Sequence, residues 1–296
     1  MDTSRKLLTD MDLSNFFQNK DCQKVLKILN HKNETSRIVG GYVRNYLRNI
    51  ETKDIDIATK LIPDEVISLL SKAGIKTVPT GLSHGTISAF INDQTFEITT
   101  LRKDTNYDGR HADIEFTDDW AVDASRRDFT INAIYMNSDG DIYDPFDGIS
   151  DLNRGTVKFI GDPEKRIKED YLRILRYYRF LSFYDSSVDN ETRRLIKKNA
   201  NSIVNLSSER IHMEFFKILD NDNSGKIINF MEEDGILELI FSHPVDVKVY
   251  NRMIDINNEL FFNEDILLKF VTLIPKNIDK INNLKCFSFS NKEKKI

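Results

Sequence analysis

The stretch that decides how the chain is interpreted is residues 37–58, RIVGGYVRNYLRNIETKDIDIA. The apolar residues Ile38 and Val39 predict a short strand, which runs into Gly40 and Gly41, and YVRNYL follows with helical spacing. Glycines at such a turn let a ligand approach the backbone and direct free N–H groups at it, which suits phosphate. A strand-to-helix turn also takes glycine for steric reasons alone, so a second signal is needed.

That second signal is the DIDIA segment at 54–58. Successive side chains of a strand point to opposite faces, so Asp54 and Asp56 share one face. Their backbones lie about 7 Å apart, which lets both carboxylates bind shared cations. Two Mg²⁺ ions held there would activate an attacking hydroxyl and stabilise a leaving pyrophosphate. Taken alone, the segment is more typical of a half-exposed strand with a solvated face.

Two charged stretches further along add candidate binding groups. Arg127 and Asp128 precede the apolar run FTINAI, where a guanidinium suits phosphate and a carboxylate accepts from sugar hydroxyls. The alternative there is an ion pair that caps the next element. Asp170 and Arg173 would be i and i+3 neighbours on one helix, for which a salt bridge is the ordinary meaning. Residues 164–179 hold six basic and three acidic side chains, either a phosphate-binding face or a solvated one.

In this order the motifs resemble the nucleotidyltransferases with a polymerase-β-like head. More narrowly, they resemble the bacterial-type, class II tRNA nucleotidyltransferases (CCA-adding enzymes) and related poly(A) polymerases. The resemblance covers roughly residues 37–215, through GGYVRNYL, DIDIA, PTGLSHGT, FEITTLR, YDGRHADIEF, RRDFTINAI, DPFDGISDL and EDYLRILRYYRF. ERIHME at 209–214 is a weaker match. Asn45 stands where the family usually has Asp, and we leave it out of the site.

The resemblance implies a site and its ligands. Gly40, Gly41 and Arg44 would hold the triphosphate. Asp54 and Asp56 would bind two Mg²⁺ ions, with Glu97 as the candidate third catalytic carboxylate. The remaining implied nucleotide-binding residues are Arg127, Asp128, Asp170, Arg173, Arg176 and Arg179. The implied substrates are CTP, ATP and tRNA.

Asp170 and Arg173 are implied to act as an amino-acid template, and hydrogen-bond chemistry supports this role. Cytosine and adenine each present an amine donor beside a ring-nitrogen acceptor, which match a carboxylate and a guanidinium. Uracil and guanine reverse both groups, so the wrong base leaves polar groups unpaired.

The predicted fold class is α+β: a polymerase-β-like head of mixed sheet with flanking helices, then an all-α C-terminal region. The expected domains are a catalytic head at 1–148, a nucleotide-selecting neck at 149–220, and a shortened helical body and tail for tRNA binding at 221–296. We expect a hairpin around residues 92–94 and a leading helix within 13–30. One long helix should start at Asp162 and Pro163, with others near 224–233, 246–259 and 264–273.

The implied function is addition of CCA to the tRNA 3′ end without a nucleic-acid template. One alternative is a poly(A) polymerase, which is disfavoured because those relatives usually carry long basic C-terminal extensions, whereas this chain is short and has a net charge of −5. Another is a partial CC- or A-adding enzyme, which the loop residues Asp108, Gly109 and Arg110 disfavour. From another class, a catalytically silent tRNA-binding homologue remains open, although the site residues are intact.

The composition of the chain narrows the class of protein that it can be. With 40% hydrophobic and 30% charged residues, the chain is typical of a folded globular protein. No apolar run is long enough to span a membrane and the N-terminus lacks a signal-peptide pattern, so we expect a cytoplasmic location and no membrane partner. The two cysteines and five histidines lack metal-ligand spacing. The sequence identifies no protein partner.

Overall fold

The computed structural model describes residues 19–52, 54–105, 113–184, 188–260, 265–274, 284 and 286–289. Contacts divide the chain into two compact units. The first unit extends to Arg154 and includes Lys158–Gly161, and the second comprises Gly155–Val157 and the chain from Asp162 onward. The further division of the helical part after residue 220 stays a prediction. The predicted loop residues Asp108, Gly109 and Arg110 lie outside the described residues.

A seven-stranded mixed sheet forms the centre of the first unit, in the order β3-β4-β5-β2-β1-β8-β9. Strands β2 and β5 are parallel, and the other neighbours are antiparallel. The bounds are β1 Ser36–Val39, β2 Ile55–Thr59, β3 Lys76–Gly81, β4 Thr86–Ile91, β5 Gln94–Thr100, β8 Tyr135–Met136 and β9 Ile142–Tyr143. A separate hairpin pairs β6 Arg102–Thr105 with β7 Asp113–Phe116.

Alternating side chains explain the central strands. In β2, Ile55 and Ile57 are buried while Asp56 is exposed, as the DIDIA pattern predicts. The predicted hairpin is also confirmed: β4 and β5 meet at a two-residue turn, in which Asn92 takes a positive φ of 48°. Strand β3 carried no strand signal, because it is an edge strand with mostly exposed residues and a proline, Pro79.

In the part of the first unit that the structure describes, five α-helices accompany this sheet: α1 Lys20–Leu29, α2 Gly41–Tyr46, α3 Pro63–Lys72, α4 Trp120–Ser125 and α5 Gly148–Arg154. Short 3₁₀ turns lie at Leu82–His84 and Thr130–Asn132. Helix α1 buries Val25, Leu26 and Leu29. On β1, Val39 belongs to a buried cluster with Trp120 and Tyr135. The sheet with flanking helices is the predicted head architecture.

The described part of the second unit is helical. Its helices are α6 Pro163–Glu169, α7 Leu172–Leu181, α8 Asn190–Asn199, α9 Ser208–Leu219, α10 Ser224–Glu233, α11 Ile236–Phe241, α12 Val247–Leu260 and α13 Ile266–Thr272, with a 3₁₀ segment at Ala200–Asn205. Aromatic rings on three of these helices contact one another: Phe215 on α9, Phe241 on α11 and Phe270 on α13. Across the described residues, every helix is too short or too polar to cross a lipid bilayer.

One predicted element is wrong. The long helix expected after Asp162 is two helices, because the chain leaves helical geometry at Asp170, with φ −153° and ψ 107°. The start itself is as predicted, since Asp162 caps α6 and Pro163 is its first residue. The Asp170 carboxylate accepts from the backbone N–H of Leu172, so the side chain offers the backbone a bond that competes with a continuous helix.

Candidate active site

The turn between β1 and α2 brings backbone and functional side chains together. Gly40 has a φ of +73°, a conformation that favours glycine. A Cβ atom at this position would lie 3.7 Å from Arg127 Nη1 and 3.8 Å from Asp56 Oδ2. The backbone of Gly40, a carboxylate and a guanidinium therefore meet at one point of the first unit. Residues separated by almost 90 positions in the sequence meet here.

Three predicted catalytic carboxylates lie at the same part of the sheet. Asp56 on β2 is the register partner of Glu97 on the parallel strand β5. Partners in neighbouring strands project to the same face. Asp54 directly precedes β2, and all three residues are exposed. The sheet thus places Glu97 beside the aspartates, as the alternation in FEITT suggested.

Neighbouring groups of opposite charge shift the pKa of Asp56 in opposite directions. Loss of hydration against neighbouring protein atoms raises the pKa of its carboxyl, even though the residue is exposed at the surface. The carboxylates of Glu97 and Asp54 raise this pKa further, while Arg127 and Arg44 oppose the shift. A cation bound at this position would relieve the repulsion among the carboxylates.

The chemistry of these donors fits Mg²⁺, which prefers carboxylate oxygens. Within the described ranges, however, no three His, Cys, Asp or Glu side chains are grouped closely enough to hold a metal ion. The fit therefore rests on the shared edge of Asp54 and Asp56 and on the raised pKa of Asp56. Glu97 stands beside them as a neighbour in register.

Arg127 is held by groups that the sequence motifs did not include. Its Nη2 lies 3.3 Å from Asp123 Oδ2, and its Nε donates to the Tyr135 hydroxyl at 3.2 Å. Asp123 is fully buried and also pairs with Arg126, at 2.7 Å. These charges and the Tyr135 hydroxyl hold the pKa of Asp123 at about 2, although burial alone would raise it. The ion pair of Arg127 is therefore with Asp123 on the preceding helix α4, whereas the alternative was a pair that caps the next element, and Arg127 also lies beside Gly40.

A second chain of hydrogen bonds connects Arg44 with Asp128. Arg44 Nη1 donates to Asn132 Oδ1 at 2.6 Å, and Asn132 Nδ2 donates to Asp128 Oδ1 at 2.9 Å. All three side chains are buried. Asn45, the departure from the family pattern, accepts from the same guanidinium at 3.2 Å. Asn132 thus joins two predicted nucleotide-binding residues.

A cavity of about 1160 Å³ opens next to Asp54. Its walls come from the start of α1, from α2, from the segment before β2 and from the β4–β5 turn. The rings of Tyr42 and Tyr46 are parallel there, with centroids 6.4 Å apart. Of the predicted site residues it is lined by Asp54, so it adjoins the cluster around Gly40 rather than containing it.

In the second unit, Asp170 lies at the break between α6 and α7. Its Oδ1 accepts from Leu172 N at 3.1 Å, and its Oδ2 accepts from Arg210 Nη2 at 2.7 Å. Arg173 donates through Nη1 to Glu169 Oε2 at 2.6 Å and to the carbonyl of Arg166 at 2.8 Å. In place of the intrahelical Asp170–Arg173 salt bridge that is the ordinary alternative, the structure shows Asp170 paired with Arg210 and Arg173 paired with Glu169.

The basic residues of 164–179 do not form the open face that we considered. Arg166 and Arg173 are buried and both contact Glu169. The guanidinium groups of Arg176 and Arg179 lie 3.4 and 3.1 Å from the carboxylate oxygens of Glu214. Lys168 also contacts Glu164, at 2.9 Å, so five of the six basic side chains have a carboxylate partner.

Sequence reasoning missed several residues that hold this site. Asn132 lies inside RRDFTINAI, and Arg210 and Glu214 lie inside ERIHME, so the motifs contained them without assigning a role. Asp123 precedes Arg126 and Arg127 by three and four residues, a spacing that places charges together on a helix. That spacing was the signal in the sequence from which the ion pairs of Asp123 with Arg126 and Arg127 could have been predicted.

Comparison with known families agrees with this geometry. Residues 36–158 match the poly A polymerase head domain, and residues 187–245 match the probable RNA and SrmB-binding site of polymerase A. The chain thus resembles the poly A polymerase family over both of these stretches. The first match contains every predicted site residue of the first unit.

Individual relatives give the same assignment. The chain is 42% identical over 209 residues to the mitochondrial CCA tRNA nucleotidyltransferase 1 of Mus musculus, covering 69% of this chain and 48% of that protein. The CCA-adding enzyme of Bacillus stearothermophilus in complex with CTP superposes with a TM-score of 0.67 at 29% identity, over 80% of this chain and 56% of that one.

A tRNA nucleotidyltransferase complexed with a primer tRNA and an ATP analog gives a TM-score of 0.72 at 25% identity, over 88% of this chain and 78% of that one. These neighbours have the same α+β fold class. The chain spans about half the length of the mouse relative. The cytoplasmic location stays a prediction, since this relative is named mitochondrial.

Proposed function

We propose that this chain is a tRNA nucleotidyltransferase that adds CCA to the tRNA 3′ end from CTP and ATP, without a nucleic-acid template. The observation that carries the proposal is the meeting of Gly40, Asp56 and Arg127 at one point, with Glu97 in register beside them. The reaction is attack of the RNA 3′-hydroxyl on the α-phosphate of the nucleotide, with pyrophosphate as the leaving group. Relatives named for CCA addition and solved with CTP, tRNA or an ATP analog support this choice.

In the first unit, each residue has a separate task. The glycine turn admits the triphosphate close to the backbone, because no side chain stands there. Arg127 and Arg44 offer guanidinium donors that match phosphate oxygens, and their partners Asp123 and Asn132 hold their orientation. Asp128 keeps Asn132 in place and is the candidate acceptor for a ribose hydroxyl.

The aspartates carry the proposed metal chemistry. Asp54 and Asp56 would hold Mg²⁺, which polarises the phosphate and lowers the pKa of the attacking hydroxyl when bound. Glu97 is the candidate third carboxylate, and its position beside Asp56 suits a proton acceptor or a further ligand.

In the second unit, Asp170 and Arg173 are proposed to select the base. Each Asp170 oxygen already accepts one hydrogen bond, and a carboxylate oxygen has capacity for a second, so an exocyclic amine can still be bound. Arg173 is proposed to donate to N3 of cytosine or N1 of adenine. Arg176 and Arg179 stay proposed nucleotide-binding residues, with Glu214 fixing their positions.

The test is to supply the chain with tRNA lacking its 3′ end and each nucleotide, singly and in pairs, and to sequence the products. Addition of CC and then A is expected. Products that end in CC would identify a partial enzyme, and long A tails a poly(A) polymerase. No incorporation would leave the silent tRNA-binding homologue.

A variant pair tests the template role. Arg173→Ala removes a donor that both correct bases need, so incorporation of UTP and GTP relative to CTP and ATP should rise by roughly ten- to a hundredfold. Asp170→Asn should have a smaller effect, since its amide oxygen still accepts from an amine. The matched control is Arg194→Ala, which removes an exposed arginine paired with Glu191. An unaltered base preference in Arg173→Ala would refute the template role.

A further inference from the structure

Arg210 holds the carboxylate of Asp170 from a different helix. Its Nη2 donates to Asp170 Oδ2 at 2.7 Å, and the two side chains are 27% and 26% exposed, so a ligand can reach them. On the other oxygen, Asp170 accepts from the Leu172 backbone. Because each oxygen has one donor, the carboxylate cannot rotate without losing both bonds.

Helix α9, which carries Arg210, is held in place by packing against α7. It has twelve residues. Arg210 and Glu214 are separated by four residues, so they lie on the same face of α9. Glu214 bonds Arg176 and Arg179. One face of α9 therefore holds three proposed nucleotide-binding residues, at two points one helical turn apart.

Among the described residues, the side chain of Asp170 bonds the Leu172 backbone and Arg210. Asp170 lies in extended geometry between two helices, where the side chain is not confined by a regular helical environment. A carboxylate held by the Leu172 N–H alone would keep one oxygen fixed and leave the other free to move. Recognition of an amine needs an acceptor at a defined position, because hydrogen bonds weaken steeply with misalignment.

We infer that Arg210 is a positioning residue for base selection, which orients Asp170 towards the exocyclic amine of cytosine or adenine. The inference rests on the proposed function and adds a residue that acts through Asp170 without touching the base. The contact uses one guanidinium nitrogen, so an ammonium group at the same place can replace it. A bidentate contact would not allow that replacement.

The experiment uses the full chain and tRNA lacking its 3′ end, with all four nucleotides in competition. The variants are Arg210→Gln, Arg210→Met and Arg210→Lys, and Met keeps an aliphatic stem where Gln is too short to pack. Arg194→Gln is the control, because it removes an exposed arginine of the same unit with the same change of charge. KM and kcat for CTP and ATP are measured for each variant, with its melting temperature.

Arg210→Gln and Arg210→Met should each raise UTP and GTP incorporation about tenfold relative to CTP and ATP, as loss of one charge-assisted hydrogen bond implies. KM for CTP and ATP should rise more than kcat falls. Arg210→Lys should keep the native preference, and Arg194→Gln should change nothing. In the Asp170→Asn background, Arg210→Gln should add no further loss, because both changes act on one contact.

Three results would overturn the inference. Unchanged base preference with a lower melting temperature would mean a structural contact only. A lower KM for CTP with full preference would mean that Arg210 competes with the base for Asp170. Failure of Arg210→Lys to restore preference would exclude the charge contact. If the native chain incorporates no nucleotide, the proposed function is overturned as well. If the native chain and the Arg210 variants all prefer CTP and ATP equally strongly, only the role of Arg210 is overturned.

Discussion

The buried carboxylate of Asp123 should be a major source of stability in the first unit, and Asp123→Asn tests this. Asp123 is fully buried and bonds Arg126, Arg127 and Tyr135. Its pKa of about 2 lies below the value near 3.9 of an unfolded aspartate. A depressed pKa adds stability that is fully present above the unfolded value and is lost as the pH falls towards the folded value.

A difference of about two pKa units corresponds to about 2.6 kcal/mol at neutral pH. Removing one partner of a buried ion pair typically costs about 3 to 5 kcal/mol. The side chains of Arg126 and Arg127 are 14% and 17% exposed, which favours the lower end of that range. Asp123→Asn should therefore lower the free energy of unfolding by about 3 kcal/mol at pH 7.

The assay is urea unfolding at several pH values, followed by tryptophan fluorescence. Trp120 is the one tryptophan in the sequence, lies on α4 with Asp123, and contacts Tyr135 at 5.5 Å between ring centroids. The difference between native and variant chains should shrink to below about 1 kcal/mol between pH 5 and pH 2. Asp118→Asn, an exposed change of the same charge, is the control. A difference that stays constant over this pH range would refute the reasoning.

Three further predictions address the proposed site. Asp56→Asn should abolish nucleotide incorporation. It should also raise the urea midpoint of unfolding at pH 7, because the raised pKa of Asp56 means that its ionisation destabilises the folded chain. This increase in the midpoint should vanish below about pH 4, where Asp56 is protonated in both states. Asn132→Leu removes a hydrogen bond from both Arg44 and Asp128, so we expect a loss of about 1 to 3 kcal/mol in urea unfolding and a higher KM for CTP. Deletion of residues 107–111 should leave products that end in CC, and unaltered A addition would remove this loop from the mechanism.

Local patterns were enough to predict the elements that carry the proposed catalytic carboxylates. The alternation in DIDIA and FEITT gave the faces of β2 and β5, and the Asn92 turn gave the hairpin, because these features depend on nearest neighbours in sequence. Strand β3 was not predicted, because it buries almost no side chain and its sequence therefore shows no alternation of apolar and polar residues. Its place in the sheet comes from pairing with β4, which is a tertiary property.

Charge partners were harder to predict than charges. The six basic residues of 164–179 suggested a face open to phosphates, yet Glu214, a residue 35 positions beyond Arg179, pairs with two of them. Spacing along a helix reports neighbours at i+3 and i+4 and contains no information on the next helix. Only packing of α9 against α7 brings Glu214 and Arg210 to these residues.

The break at Asp170 supports the proposed template role of Asp170 and Arg173. On a continuous helix, Asp170 and Arg173 would neutralise each other, and a base would have to displace that bond. With Asp170 in extended geometry, Arg210 takes its carboxylate and Glu169 takes Arg173, so each residue is oriented by a partner other than its proposed co-reader. A donor and an acceptor are thereby kept separate, which is the requirement for reading a base edge that offers one of each.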